Sequence, residues 1–346
     1  MARSKFHAWL LRRWYGDRPI GWFIPLAGIF AAITTMRRWC YRHGIFHIVE
    51  LQVPVIMIGN ISVGGTGKTP FVIWLAQALQ KQGCRPGIIT RGYSGRSKHW
   101  PILVTPESDP LKVGDEAVLL ATRAQVPVCA GHDRVQAVRY LLQQTRVDVI
   151  VSDDGLQHYR LGRDLSVIML DGQRYLGNGW RLPAGPLRES AARLGEADLV
   201  ICKSDPASDA NLPLGALAMH LSLQDAVSIP DGARRPLAGF AGRPLHALAA
   251  IGHPQQFFDT LRKHGLQVDG WAFPDHAALS QTDLTFDDDV PVLMTEKDAI
   301  KCRGLQLSHH WYVPATVEIN QQDAARILDK VWQKLKAKGV MPTITH

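Results

Sequence analysis

The stretch Gly59-Asn60-Ile61-Ser62-Val63-Gly64-Gly65-Thr66-Gly67-Lys68-Thr69-Pro70 carries the clearest chemistry in the 346-residue chain. A phosphate-cradling loop reads G-x-x-x-x-G-K-[ST], and Ser62 stands where that pattern has its first glycine. The remainder holds. Gly64, Gly65 and Gly67, with Thr66 between them, let backbone N–H groups turn toward phosphate oxygens. Lys68 neutralises β- and γ-phosphate charge, and the Thr69 hydroxyl suits Mg²⁺. The helix opening at Lys68 adds its dipole, and Pro70 falls in the first turn, where a missing N–H costs little. Such a loop needs a carboxylate at the end of a neighbouring strand, and Asp153-Asp154 closes the apolar run 147–152. One of the two meets Mg²⁺ or its water shell and the other faces the substrate. Asp154 opens a loop with Gly155, which favours the substrate side for it and the metal for Asp153, with the reverse assignment left open by the sequence. These parts spell nucleoside-triphosphate chemistry. They do not separate a kinase from a motor or assembly ATPase.

Those side chains need strands and helices that alternate. β-Rich apolar runs at 53–58, 87–90, 126–130, 147–152, 165–170 and 198–203 read as strands, with helical patterns at 68–80, 115–124 and 133–144. The class is α/β, with a parallel-sheet core of the P-loop NTPase type. Residues 204–236 are richer in Asp, Ser, Pro and Gly and mark a boundary. A second, smaller α/β pattern follows: strand 245–251, helix 254–264, strands 268–273 and 290–295, and a last helix over 322–338. The expected division is an N-terminal segment (1–45), a P-loop core (46–215) and a second α/β domain (216–346).

Apolar residues make up 46% and charged residues 20%, which excludes a mostly disordered chain. Five cysteines without a C-x-x-C pair argue against a disulfide framework or a structural zinc site, and for a reducing compartment. Formal net charge is +8, and residues 1–43 carry eight Lys and Arg against Asp17 alone. The charge belongs to one segment, with no recognisable nucleic-acid module. Within it, the uncharged run 19–36 is borderline for a membrane span and no convincing secretory signal. Apolar body, flanking Trp9, Trp14 and Trp39 and a basic margin suit a helix at the surface of an anionic membrane. The bland alternative is a helix packed under the next domain.

The chain as a whole resembles the tetraacyldisaccharide 4'-kinase family of lipid A biosynthesis. The resemblance rests on the P-loop, then Arg91-Gly92-Tyr93, Gly114-Asp115-Glu116, and Asp153-Asp154-Gly155-Leu156-Gln157-His158. It continues through Pro183-Ala184-Gly185-Pro186-Leu187-Arg188-Glu189, Ile251-Gly252-His253-Pro254, Phe273-Pro274-Asp275-His276 and Thr295-Glu296-Lys297-Asp298. Each block alone is weak; their order and spacing are specific. The departures are Leu156 where an aromatic is expected, and Ala277-Ala278 where bulkier residues are common.

The resemblance implies transfer of the ATP γ-phosphate, with Mg²⁺, to the 4'-hydroxyl of a tetraacylated glucosamine disaccharide 1-phosphate at the cytoplasmic face of the bacterial inner membrane. It implies no obligatory protein partner. By resemblance, Asp115 is the general base or its partner, and His276 is its companion from the second domain, with Lys68 as the third catalytic group. A carboxylate beside an imidazole orients the ring for proton abstraction; the bland alternative for Asp115 is a helix cap. Glu116 fits either a magnesium shell or a favoured acidic helix start. Arg91 and Tyr93 follow a strand end, where ligands are met in open α/β sheets. Arg188 is suited to gripping the 1-phosphate through a bidentate fork. Gln157 and His158 are expected against sugar or phosphate, Asn60 on the substrate side, and Thr295 to Lys297 against the nucleotide. The competing reading is a dimerising assembly ATPase that positions proteins at membranes. That class carries a further lysine before its two glycines, where this chain has Val63, and it leaves the second unit with His276 without a task.

Overall fold

The computed structural model describes residues 9–341 apart from 207, 208, 210, 211, 214 and 287. Arg3 and Lys5 of the basic segment lie outside the described residues. Residues 9–14 are helical, and a longer helix, α1 (Ile24–Arg42), follows. The core then alternates β1 (Val55–Gly59), α2 (Lys68–Lys81), β2 (Pro86–Thr90), β3 (Ile102–Val104), α3 (Pro110–Val113), α4 (Asp115–Ala124), β4 (Val128–Ala130), α5 (Arg134–Gln144), β5 (Val149–Ser152), β6 (Leu165–Asp171), β7 (Leu199–Lys203) and β8 (Leu217–Leu223). The second lobe holds β9 (Ala226–Ser228), β10 (Arg234–Arg235), β11 (Pro244–Ala249), α6 (Pro254–Lys263), β12 (Gln267–Ala272), β13 (Val292–Thr295), α7 (Glu296–Lys301) and β14 (His310–Val313). The chain closes with β15 (Ala315–Glu318) and α8 (Gln321–Ala337).

The larger sheet runs β15-β8-β7-β6-β1-β5-β2-β4-β3, parallel except at its two edge pairs. β1 lies at its centre, and every residue of β1 is buried, as befits a strand covered on both faces. On one face Phe71, Leu75 and Leu79 of α2 pack with α4 and α8; on the other, Val135, Val138 and Leu141 of α5 close the core. The smaller sheet, β10-β9-β14-β13-β11-β12, is parallel from β14 to β12 and carries its own two-faced core.

The expected division differs from this architecture. β8, β15 and α8 fall in the range expected for the second unit, yet they belong to the larger sheet and its core. Within the expected boundary, residues 217–223 are therefore a strand of the larger sheet. The apolar alternation of Leu217, Met219 and Leu221 builds a strand there, masked in the sequence by the polar residues around it. The chain crosses between lobes twice, after β8 and before β15. These crossings touch: the Gln224 amide donates to the Pro314 carbonyl at 2.9 Å, and the Gln224 side chain to Thr316 Oγ1 at 2.8 Å.

α1 buries only Ala27, while Trp22, Leu26, Ile29, Ile33 and Met36 stand exposed. Among the described residues, no helix is long and apolar enough to cross a membrane. The segment before α1 has a second task. Trp14 and Ile20 are buried, the Trp14 indole donates to the Pro183 carbonyl at 2.8 Å, and the Tyr15 hydroxyl donates to the Val63 carbonyl in the P-loop.

Candidate active site

The P-loop, Arg91 and Asp153-Asp154 follow the carboxyl ends of β1, β2 and β5, where open α/β sheets bind ligands. β1 runs into the P-loop. Gly67, at φ 79°, caps α2 from the left-handed region, which glycine enters without steric cost. Side chains hold the loop's carbonyls from outside: Asn60 Nδ2 reaches Ser62 O at 2.7 Å and Gly64 O at 3.4 Å, and Lys203 Nζ reaches Gly65 O at 3.1 Å. Thr66 is buried, its hydroxyl without a hydrogen-bond partner, and Thr69 lies in the first turn of α2. Lys68 Nζ donates to Asn60 Oδ1 at 3.2 Å and pairs with Asp154 Oδ1 at 3.6 Å. Asp154 Oδ2 also meets Arg188 Nη1 at 3.7 Å. Arg188 arrives on a segment laced to the loop, through Val63 N to Pro186 O at 2.9 Å and Arg188 N to Ile61 O at 2.8 Å. Burial pushes the Asp154 carboxyl up, but Lys68, Arg188 and Arg134 outweigh it and hold it below its ordinary range.

The two adjacent aspartates part company. Asp154 takes φ 49°, a conformation few non-glycine residues adopt, and turns toward the basic side chains. Asp153 is buried, and its Oδ1 has no hydrogen-bond partner. Burial, then the charge of Glu116, pushes its carboxyl up to about 7 against the pull of Lys68. Beneath it, buried Arg134 donates to the carbonyls of Gly131 at 2.7 Å and Asp153 at 3.1 Å.

A second cluster joins the lobes. His276, at φ 59°, places Nδ1 3.0 Å from Asp115 Oδ1 and 3.1 Å from Oδ2, across 161 positions of sequence. Asp115 is thus the first residue of α4 and not its cap, which is Gly114 at φ 95°. Lys297 Nζ lies 2.8 Å from Glu116 Oε1, 3.6 Å from Asp275 Oδ1 and 3.4 Å from His276 Nε2; Lys301 Nζ lies 3.6 Å from Asp115 Oδ2. Burial pushes Asp115 up, yet the His276 hydrogen bond and the two lysines prevail and bring it down to about 2. Lys297 is raised despite its burial, by Glu116, Asp115 and Asp275. The two clusters adjoin: a Cβ added to Gly252 would lie 3.4 Å from Asp275 Oδ2 and 3.9 Å from the Gly65 amide nitrogen.

Of the remaining expected residues, Tyr93 stands over His276 with ring centroids 4.7 Å apart. Arg91 is exposed after β2, near enough to Arg134 and His158 for its charge to bear on both. Burial, then Arg134 and Arg91, pushes the His158 imidazole down to about 4. Gln157 is half-buried on the same turn and is joined to the cluster by sequence alone. Glu296 pairs with Arg123 at 2.8 Å, so it braces the two lobes.

Sequence reasoning missed Lys203, Asp171, Arg134, Lys301 and Arg174. Lys203 bridges Gly65 O, Asp171 at 2.8 Å and Gln256 at 3.0 Å, and Arg174 lies 4.5 Å over the Tyr15 ring and 2.7 Å from His253 Nδ1. A signal existed for the first two: each is the polar residue that ends an apolar strand, as Asp153 does for β5.

A family model described as Tetraacyldisaccharide-1-P 4'-kinase matches residues 21–333. The chain is 46% identical over 336 residues to the tetraacyldisaccharide 4'-kinase of Nitrosococcus oceani, covering 97% of this chain and 98% of that one. It is 45% identical to the protein of the same name from Methylobacillus flagellatus, covering 95% and 97%. Among solved structures it is similar to LpxK from Aquifex aeolicus in complex with ATP, with a TM-score of 0.76, 28% identity and coverage of 91% and 99%. With a nucleotide cradle, a carboxylate–imidazole pair across the lobe joint and relatives matched end to end, this chain belongs to the tetraacyldisaccharide-1-phosphate 4'-kinase family.

Proposed function

We infer that the protein transfers the γ-phosphoryl group of ATP to the 4'-hydroxyl of an acylated glucosamine disaccharide 1-phosphate, yielding the 4'-phosphorylated lipid A precursor, lipid IVA. The observation that carries this reading is the Asp115–His276 pair, set at the lobe joint beside the P-loop. Phosphoryl transfer asks for positioning, charge neutralisation and a group to take the hydroxyl proton. The Nδ1–H tautomer of His276 satisfies both its hydrogen bonds, donating to ionised Asp115 and accepting from Lys297 at Nε2. When the sugar hydroxyl displaces Lys297 from Nε2, that lone pair receives its proton, and Asp115 stabilises the imidazolium formed.

Lys68 is poised to leave Asn60 and Asp154 for the β- and γ-phosphates. Asp154, Arg188 and Arg91 then line the acceptor side. Beside Lys68, Arg188 suits the transferred phosphate better than the 1-phosphate, which lies at the far end of a disaccharide. Gln157, His158 and Tyr93 complete the sugar side.

The residues fit Mg²⁺. Among the described residues no group of three or more His, Cys, Asp or Glu side chains is arranged for a metal. Asp153 nonetheless offers a buried, unpartnered carboxylate oxygen, and Mg²⁺ takes one or two carboxylates along with phosphate and water oxygens. Asp153 and Thr69 would hold the ion with Glu116 at its margin, and it would supply charge neutralisation to the phosphates.

The exposed stripe of α1 and its arginines support residence at an anionic bilayer, where a four-chain substrate stays embedded, on the cytoplasmic face where ATP is available. Incubation of the full chain with ATP, Mg²⁺ and acylated disaccharide 1-phosphate in mixed micelles tests the reading. ADP and a product heavier by one phosphoryl group should appear in equal amounts. Unmodified disaccharide beside nucleotide-loaded protein would overturn it, and lipid-independent hydrolysis rising with self-association would favour an assembly ATPase.

A further inference from the structure

We propose that the arginine-lined cavity at the foot of α1 is a second anion site, built to take the phosphate of an acidic membrane lipid while the apolar stripe of the same helix lies in the bilayer. The cavity, of about 260 Å³, is lined by Arg38 and Arg42 of α1 and by Arg163 and Arg193 of the core, with Tyr159 in its wall and Glu196 at its edge. Glu196 is shared by three guanidinium groups: Arg38, Arg42 at 3.1 Å and Arg193 at 2.8 Å. Arg193 also engages buried Glu189 at 2.8 Å, and Arg163 lies 5.7 Å over the Tyr159 ring. Four lining guanidiniums thus face Glu196 and Glu189, and the positive excess suits an anionic phosphate. Burial, and after it the charges of Arg193 and Arg42, hold Arg38 down at about 10, as expected of guanidiniums crowded without enough counter-charge.

Position names the ligand's source. Arg38 and Arg42 lie in the last turns of the helix whose Leu26, Ile29, Ile33 and Met36 are exposed. A helix resting in the interface on that stripe brings its final turns to headgroup level. The site stands apart from the P-loop and does not depend on the kinase reading.

The test uses the full chain with phosphatidylcholine vesicles, with and without phosphatidylglycerol, and inorganic phosphate as a soluble probe. Arg38→Gln/Arg42→Gln should weaken binding to the anionic vesicles roughly tenfold. Arg12→Gln/Arg13→Gln, with the same charge change on exposed residues away from the cavity, should weaken it much less. Glu196→Gln separates a site from a structural ion pair by sign: it should tighten anionic-vesicle and phosphate binding several-fold, because it frees guanidiniums already assembled. Protein that binds no vesicle but takes up phosphate, and loses that uptake in Arg38→Gln/Arg42→Gln, would keep the anion site and remove the bilayer as its source. A raised KM for the disaccharide 1-phosphate, with none for its 1-dephospho analogue and vesicle binding unchanged, would assign the site to the substrate's own phosphate. Equal losses in the two double variants, with no gain in Glu196→Gln, would overturn the proposal.

Discussion

At the scale of single residues, the two acidic positions closest to the chemistry are tuned in opposite directions. Asp115 is held down at about 2 by His276, Lys297 and Lys301 against the push of burial. A folded-state value below the ordinary one of about 3.9 means its stabilising contribution is complete above that range and is lost as pH falls toward 2. It stays ionised throughout any workable assay range. Asp115→Asn should therefore lower kcat by roughly 10²–10⁴-fold; steady-state kinetics showing an unchanged kcat would contradict the assignment. Asp153 lies the other way. Its carboxyl is raised to about 7 mainly by burial, so the folded state holds a proton that the unfolded chain releases, and stability falls as pH rises from about 4 to 7. Asp153→Asn should raise the melting temperature of nucleotide-free protein, on the order of 5 °C at pH 8 and less at pH 5, while abolishing Mg²⁺-dependent turnover. Scanning fluorimetry at both pH values decides it. The sequence announced both carboxylates as candidates. It could not announce their ionisation, because the groups responsible come from other helices and from the other lobe.

At the scale of elements, α1 is amphipathic in an unusual sense: its polar side docks and its apolar side faces outward. Arg181 reaches Thr34 at 2.6 Å, and Arg38 and Arg42 hold Glu196, while Leu26, Ile29 and Ile33 cover nothing. Moving each such aliphatic side chain from water into a bilayer yields about 1.5–3 kcal/mol. Leu26→Ser/Ile29→Ser/Ile33→Ser should thus cut turnover on vesicle-embedded substrate by at least about tenfold. KM for ATP and turnover on a short-chain, micelle-free analogue should stay within about twofold. A parallel loss in all three measurements would make the stripe a folding feature. Truncating residues 1–43 is a poorer experiment, because Trp14 and Tyr15 brace Pro183 and the P-loop carbonyl of Val63. That brace was invisible in the sequence, where two aromatics among arginines look like a membrane margin. By contrast α2 was legible almost to its ends, since a left-handed glycine starts it and Phe71, Leu75 and Leu79 repeat at helical spacing.

At the scale of the whole molecule, the two lobes meet through charged side chains. Arg123 to Glu296 and Lys297 to Glu116 both span 2.8 Å, and Arg303 donates to the Pro106 carbonyl. Arg123→Met should loosen the joint without touching the nucleotide cradle. KM for ATP should hold, kcat should fall roughly 3–10-fold because His276 meets Asp115 less often, and small-angle scattering should show a larger radius of gyration. An unchanged radius with the same kcat loss would place the effect elsewhere. What the sequence by itself determined was local: a loop of twelve consecutive residues whose glycines and lysine declare a phosphate cradle, and strands and helices whose periodicity shows over a few turns. Apart from the Asp115–His276 pairing, which the family resemblance already implied, only the tertiary structure decided which distant groups share a site. Asp115 and His276 meet across 161 positions, Lys203 and Gly65 across 138, and β15 with α8 returns to the first lobe. The reason is physical. Backbone conformation answers to neighbours along the chain, whereas strand order and lobe contact arise from packing whole faces together, which no local pattern records.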